Sequence, residues 1–211
     1  MALRRKSDAT WLSVYPVHTE ASNWPVEKAL YVNIGGGVGH QCAQFRERYP
    51  YIDRSRRAAG HAAFCRTSTP YSRGREYGAR HGAKFYHLRA VLHNHPPEKI
   101  KQLLNIIKAA MGPESVLLID EMGFPEREVS FNTASIDMTM LAAFATMERT
   151  EAQWREVFED AGLELVRTYT YYPVNYESVM DVRLPLPAQN RRRSQDTCRK
   201  TGQVSGIQSS Y

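Results

Sequence analysis

Apolar positions change their period several times along the chain. "LYVNI" (30–34) is an apolar run interrupted only by Asn33, and "GGGVG" follows it directly. "HQCAQFRERY" then has helical character. A strand, a glycine turn and a helix in that order open a doubly wound α/β domain. "KFYHLRAVL" (84–92) gives a second strand-like run, and Pro96 and Pro97 suit the first turn of a helix. Ile100, Leu103, Leu104, Ile107 and Met111 recur at i, i+3, i+4, i+7 and i+11, the stripe of a helix docked on a sheet. Gly112 and Pro113 close that helix, and "SVLLID" (115–120) has the unbroken apolarity of a central parallel strand. Residues 136–147 read as a helix. Thr150 and Gln153 form a capping box for another, which faces inward through Trp154, Val157, Phe158 and Ala161 and stops at Gly162. "LELVRTYTYY" and "ESVMDVRL" predict a closing hairpin. From about Pro187 the chain is rich in Ser, Gln and Arg and reads as a disordered basic tail over 186–211.

Composition narrows the classes. A chain of 211 residues, 42% hydrophobic, supports one core with tails. No run of apolar residues is long enough to predict a membrane span, and "MALRRKSDATWLSVYP" lacks the apolar centre of a signal peptide. Cys42, Cys65 and Cys198 are odd in number and form no CxxC, so a reduced, cytoplasmic protein without structural zinc or a disulfide frame is expected. The net charge of +6 raises the question of nucleic acid. Residues 54–82 hold seven Arg against one Glu, and residues 187–211 hold five Lys or Arg against one Asp, which leaves −4 for the rest of the chain. Neither basic segment interleaves aromatics or follows a helix face, so no nucleic-acid partner is expected.

Gly35, Gly37 and Gly39 have G-x-G-x-G spacing. The dinucleotide fingerprint requires glycine or alanine where His40 stands, which disfavours a nicotinamide oxidoreductase, and the G-K-[ST] of a P-loop is absent. The spacing suits S-adenosylmethionine (SAM), which must pass close to bare backbone. From the loop alone, a tight glycine turn without a ligand remains open.

Five segments in order, "YVNIGGGVGH", "FYHLRAVLHNHPPEKI", "SVLLIDEMGFPE", "IDMTML" and "MERTEAQWREVFEDAGLELV", resemble the catalytic domain of the fungal and plant SAM-dependent small-molecule O-methyltransferases. The resemblance covers about residues 11–53 and 83–184. It implies a Rossmann-like class I methyltransferase sheet, with the domain over 30–185, and SAM held by Asn33, Gly35, Gly37, Gly39 and Arg89. It further implies that His93 takes the proton from a phenolic hydroxyl, that Glu121 and Glu148 orient His93, and that Met140 packs on a small aromatic acceptor. A histidine of pKa about 6.5 can remove a proton from a phenol of pKa about 10 at the moment of attack. His93 and His95 form an H-x-H without a carboxylate or cysteine at regular spacing, so no metal is expected.

The chain departs from the family pattern in several places. Asn33 stands where the family usually has an acid, and Asn94 and His95 replace the last two residues of an H-D-W. Between Asp53 and His87 there is no Val, Ile, Leu or Met, so the second and third strands of the sheet are expected to be incomplete and the acid that binds the ribose hydroxyls is missing. Seven Arg and no Lys over 54–82 suggest a shifted reading frame. Some synonymous codon choices for residues 53–81, read one base later, restore an aliphatic strand followed by an acid. The family also forms homodimers through a large N-terminal domain, of which "WLSVYPV" within 1–29 is the expected remnant. Weak SAM binding and slow or absent turnover follow, and the alternative is a catalytically dead methyltransferase-like binding protein.

Overall fold

A computed structural model describes residues 10–52, 65–68 and 81–186. The expectations for 1–9, for most of 54–82 and for 187–211 lie outside the described residues. The chain forms a twisted α/β sheet. Its parallel strands are β1 (Tyr31–Ile34), β2 (Cys65–Ser68), β3 (Phe85–Arg89) and β4 (Val116–Phe124), with the short β5 (Arg149–Thr150) paired to the end of β4. The hairpin β6 (Glu164–Tyr172) and β7 (Glu177–Arg183) closes the sheet, with β7 antiparallel to β4. Strand order is β2-β1-β3-β4-β7-β6.

The helices are α1 (Val17–Ala21), α2 (His40–Arg48), α3 (Pro97–Ala110), α4 (Phe131–Phe144) and α5 (Glu151–Asp160). The predicted stripe of α3 is buried, and both halves of the Thr150–Gln153 capping box are formed at α5. One helix differs from its predicted bounds: α4 starts where the Ser130 hydroxyl accepts the Thr133 N–H and ends at Ala145 in the left-handed region. Residues 145–147 lie beyond it.

The interval whose strands were expected to be incomplete supplies one short strand. β2 runs along β1 from Tyr31↔Cys65 to Ile34↔Ser68. Among the described residues nothing pairs with its outer edge, so the further strand implied by the family resemblance is not seen there.

Two apolar layers cover the sheet. One joins α3 and α5 to β1, β3 and β4 through Leu104, Ile107, Trp154 and Phe158. The other is partly built by the segment before β1: Trp11, Leu12, Tyr15 and Val17 pack with Tyr31, Phe45, Phe85 and Leu118. Residues 11–17 therefore pack into the core of the sheet itself, whereas 1–29 was expected to be the remnant of another domain. Cys42 on α2 is disulfide-bonded, against the reduced set of cysteines expected. Among the described residues no helix is long and apolar enough to cross a membrane.

Candidate active site

The order β2-β1-β3-β4 reverses direction between β1 and β3, and ligands of open α/β sheets bind in the crevice beyond the carboxyl ends of the strands at such a point. Most of the predicted site residues sit along that edge. Asn33 lies near the end of β1, in register with His87 of β3, and Arg89 ends β3. Glu121 lies on β4 just past the last β3 pairing, and His93 is in the short turn Leu92–Asn94 after β3.

His93, Glu121 and Glu148 converge. His93 Nδ1 is 2.7 Å from Glu148 Oε1 and 3.8 Å from Glu121 Oε2. Glu121 Oε1 accepts the backbone N–H groups of Val91 and Leu92 at 2.8 and 2.9 Å, which fixes the turn carrying His93. The Thr146 hydroxyl donates to the His93 carbonyl at 2.9 Å, and the Glu148 N–H donates to Asp137 Oδ1 at 2.7 Å. Both carboxylates are buried. One atom able to ligate a metal, a ring nitrogen or a carboxylate oxygen, comes from each of the three residues, and these atoms lie within 4.8 Å of one another, a grouping that no spacing in the sequence reveals.

This cluster opens onto a cavity of about 380 Å3. His93, Glu148 and Met140 line it, together with Met122, Ile136 and Phe144. Met140 and His93 thus share one cavity wall. Glu177, which the sequence reading missed, is also in the wall.

On the cofactor side, Gly35, Gly37 and Gly39 all have positive φ, which glycine alone adopts without strain. Gly36, not singled out from the sequence, makes the closest approach: a Cβ there would overlap the Asn33 side-chain amide. That Asn33 amide is buried, and neither its oxygen nor its nitrogen has a hydrogen-bond partner among the described residues. Gly36 covers that amide, so a ligand lying over β1 would meet the backbone of the glycine loop before Asn33. No Asp or Glu occurs from residue 54 to 75, so β2 and its flanks carry no carboxylate for a ribose.

Arg89 is engaged elsewhere than expected. Its Nε lies 3.5 Å from Asp120 Oδ2 and its Nη2 3.8 Å from Glu177 Oε2. The Tyr171 hydroxyl is within 2.7 Å of Asp120 Oδ1 and 3.0 Å of Glu177 Oε2. His87 joins the same network, with Nδ1 2.8 Å from the Tyr31 hydroxyl and Nε2 3.6 Å from Asp120 Oδ2. Burial pushes the His87 imidazole down, with Asp120 opposing.

Residues 77–164 match the model of the O-methyltransferase domain. Demethylsterigmatocystin 6-O-methyltransferase stcP of Emericella nidulans is 35% identical over 180 residues, a match covering 81% of this chain and 87% of that protein. The chain belongs to the family of SAM-dependent O-methyltransferases. O-methyltransferase ucdC of Aspergillus ustus is 36% identical over 173 residues, with 78% of this chain and 45% of that protein covered. The solved structure of LepI in complex with SAM superposes with a TM-score of 0.71 at 29% identity, over 87% of this chain and 50% of that one. Against ucdC and LepI, this O-methyltransferase chain spans about half the relative's length.

Proposed function

We propose that the chain transfers a methyl group from SAM to a phenolic hydroxyl of a small aromatic secondary metabolite, with His93 as general base and a weakened cofactor site. The observation that carries this reading is the His93–Glu148 contact of 2.7 Å at the wall of an apolar cavity. Glu148 takes the Nδ1–H, which leaves Nε2 with its lone pair for the proton of a phenol. Glu121 holds the backbone of the same turn, so the imidazole has little freedom to drift from the acceptor. Met140 and Ile136 offer apolar surface to the ring, and about 380 Å3 is within the range of small-ligand sites. SAM, when bound, supplies an electrophilic methyl group on a sulfonium.

The residues facing the cofactor support its methionine end only in part. Asn33 can hydrogen-bond but brings no charge to an ammonium, and the ribose acid has no counterpart between 54 and 75. That shortage also favours a second reading, a non-catalytic binding protein. Calorimetric titration with SAM, followed by transfer of labelled methyl to a panel of phenols at saturating cofactor, separates the two. The expected result is a Kd weaker than about 100 μM, a binding free energy of about −5.5 kcal/mol, with slow transfer that His93→Gln abolishes. Low-micromolar affinity would overturn the weak-cofactor reading. Saturated cofactor without transfer to any phenol would leave the binding protein.

A further inference from the structure

Two buried carboxylates flank a single imidazole. Both negative charges favour the imidazolium in that low-dielectric setting, and a protonated His93 has no lone pair with which to accept a proton. The base therefore needs a counter-charge. Asp137 on α4, which holds the Glu148 N–H, and Glu177 on β7, in the cavity wall, are further acids. His95 lies on the chain just after the His93 turn, and burial pushes it towards the neutral form, with Lys99 acting in the same direction. Arg89 is turned onto Asp120 and Glu177.

Arg149 is placed differently. Only 4% of it is exposed. The β4–β5 pairing sets it in register with Gly123, two residues past Glu121 and so on the same face of β4 as Glu121, and it follows Glu148 directly in the chain. Its guanidinium carbon stands 5.0 Å from the centre of the Trp154 ring, and Nη1 donates to the Met147 carbonyl at 3.4 Å. Trp154 is itself fixed, its Nε1 donating to the Met122 carbonyl at 2.8 Å. The charged head is thus held by Trp154 of α5 and by the Met147 carbonyl just ahead of β5. Burial lowers the guanidinium pKa while Glu121 and Glu148 raise it, and an arginine remains charged through such shifts.

We propose that Arg149 is a positioning residue for the base, a buried cation that balances Glu121 and Glu148 and so keeps His93 neutral and able to accept a proton. The inference rests on the reading of His93 as the base. Its test needs no methyl transfer. In the full chain carrying isotope-labelled histidine, the His93 ring signal is assigned by its loss in His93→Asn and followed through a pH titration.

Arg149→Met removes the charge but keeps an apolar stem against Trp154. It should raise the His93 midpoint by about one pH unit or more, a tenfold gain in proton affinity. Arg149→Gln, whose amide can still donate to the Met147 carbonyl, serves if the methionine variant does not fold. Arg149→Lys should leave the midpoint near that of the unaltered chain. An unmoved midpoint in a folded Met or Gln variant would overturn the proposal, as would a Lys variant that shifts as far as they do. The expected titration in a chain that transfers no methyl would defeat the functional reading and leave only the charge balance between Arg149 and His93 standing.

Discussion

On the base side of the crevice, each functional group is held by a neighbour. Glu121 is tied to two backbone N–H groups, His93 to Glu148, and Glu148 to Asp137 through its own N–H. On the cofactor side, the buried amide of Asn33 has no such partner among the described residues. The difference follows from where each half takes its support. The base half hangs on the ends of β3 and β4, whose apolar runs are buried, and on the residues leading into the short β5. The cofactor half leans on β1 and its neighbour β2, and β2 lies inside the compositionally odd interval. A change in that interval would weaken cofactor binding while leaving the proton-transfer apparatus assembled.

The largest effect that could break this comparison is expected at Glu148. Glu148→Gln keeps the shape but removes the charge that fixes the tautomer and stabilises the imidazolium. Methyl transfer should fall by about 100-fold or more, while calorimetry shows SAM affinity unchanged. Equal loss of binding would mean the two halves are one unit.

Gly36→Ala attacks the other half. The added Cβ would overlap the Asn33 amide, so urea unfolding should show a loss of about 1–3 kcal/mol and SAM affinity should drop. The His93 titration should stay where it is, and its movement would contradict the independence argued above.

The smallest effect concerns His87. Burial keeps its imidazole below the ordinary value of about 6.5, so below that pH the unfolded chain binds a proton that the folded chain does not. Stability present above pH 6.5 is lost as pH falls through the folded pKa. His87→Gln should flatten the acid slope of stability between about pH 6.5 and 5, a difference of about 1 kcal/mol in denaturant titrations at the two pH values. An unchanged slope would place the acid sensitivity elsewhere.

The parts of the fold legible in the sequence are those whose burial is one-sided or complete. The α3 stripe, the run of β4, the capping box at Thr150 and the closing hairpin all appear where apolar periodicity puts them. The start of α4 was not legible, because Phe131 is exposed and "NTAS" after it has no stripe; Met138, Leu141 and Phe144 on the same helix are exposed as well. β2, "CRTS", carries no apolar pattern at all. The base cluster posed a different difficulty. Positions 93, 121 and 148 lie on three separate elements, and only the family resemblance brought them together. Arg149 carries no sequence signal of its own, and only the pairing of β5 with β4 places it beside Gly123. Gly36 is invisible to the spacing rules for glycine loops, because its role is a close approach to Asn33.

Trp11 is fully buried, its ring centre 4.7 Å from that of His87, and the Tyr15 hydroxyl donates to Asp181 Oδ2 at 3.1 Å. These residues precede the first strand, in a stretch that reads as a leftover of some other unit. For anyone trimming the chain to a minimal catalytic piece, the cut therefore belongs ahead of Thr10. A piece beginning at Leu30 would bare one wall of the sheet, leave Asp181 short of a donor and strip the aromatic lid from the histidine beneath the crevice.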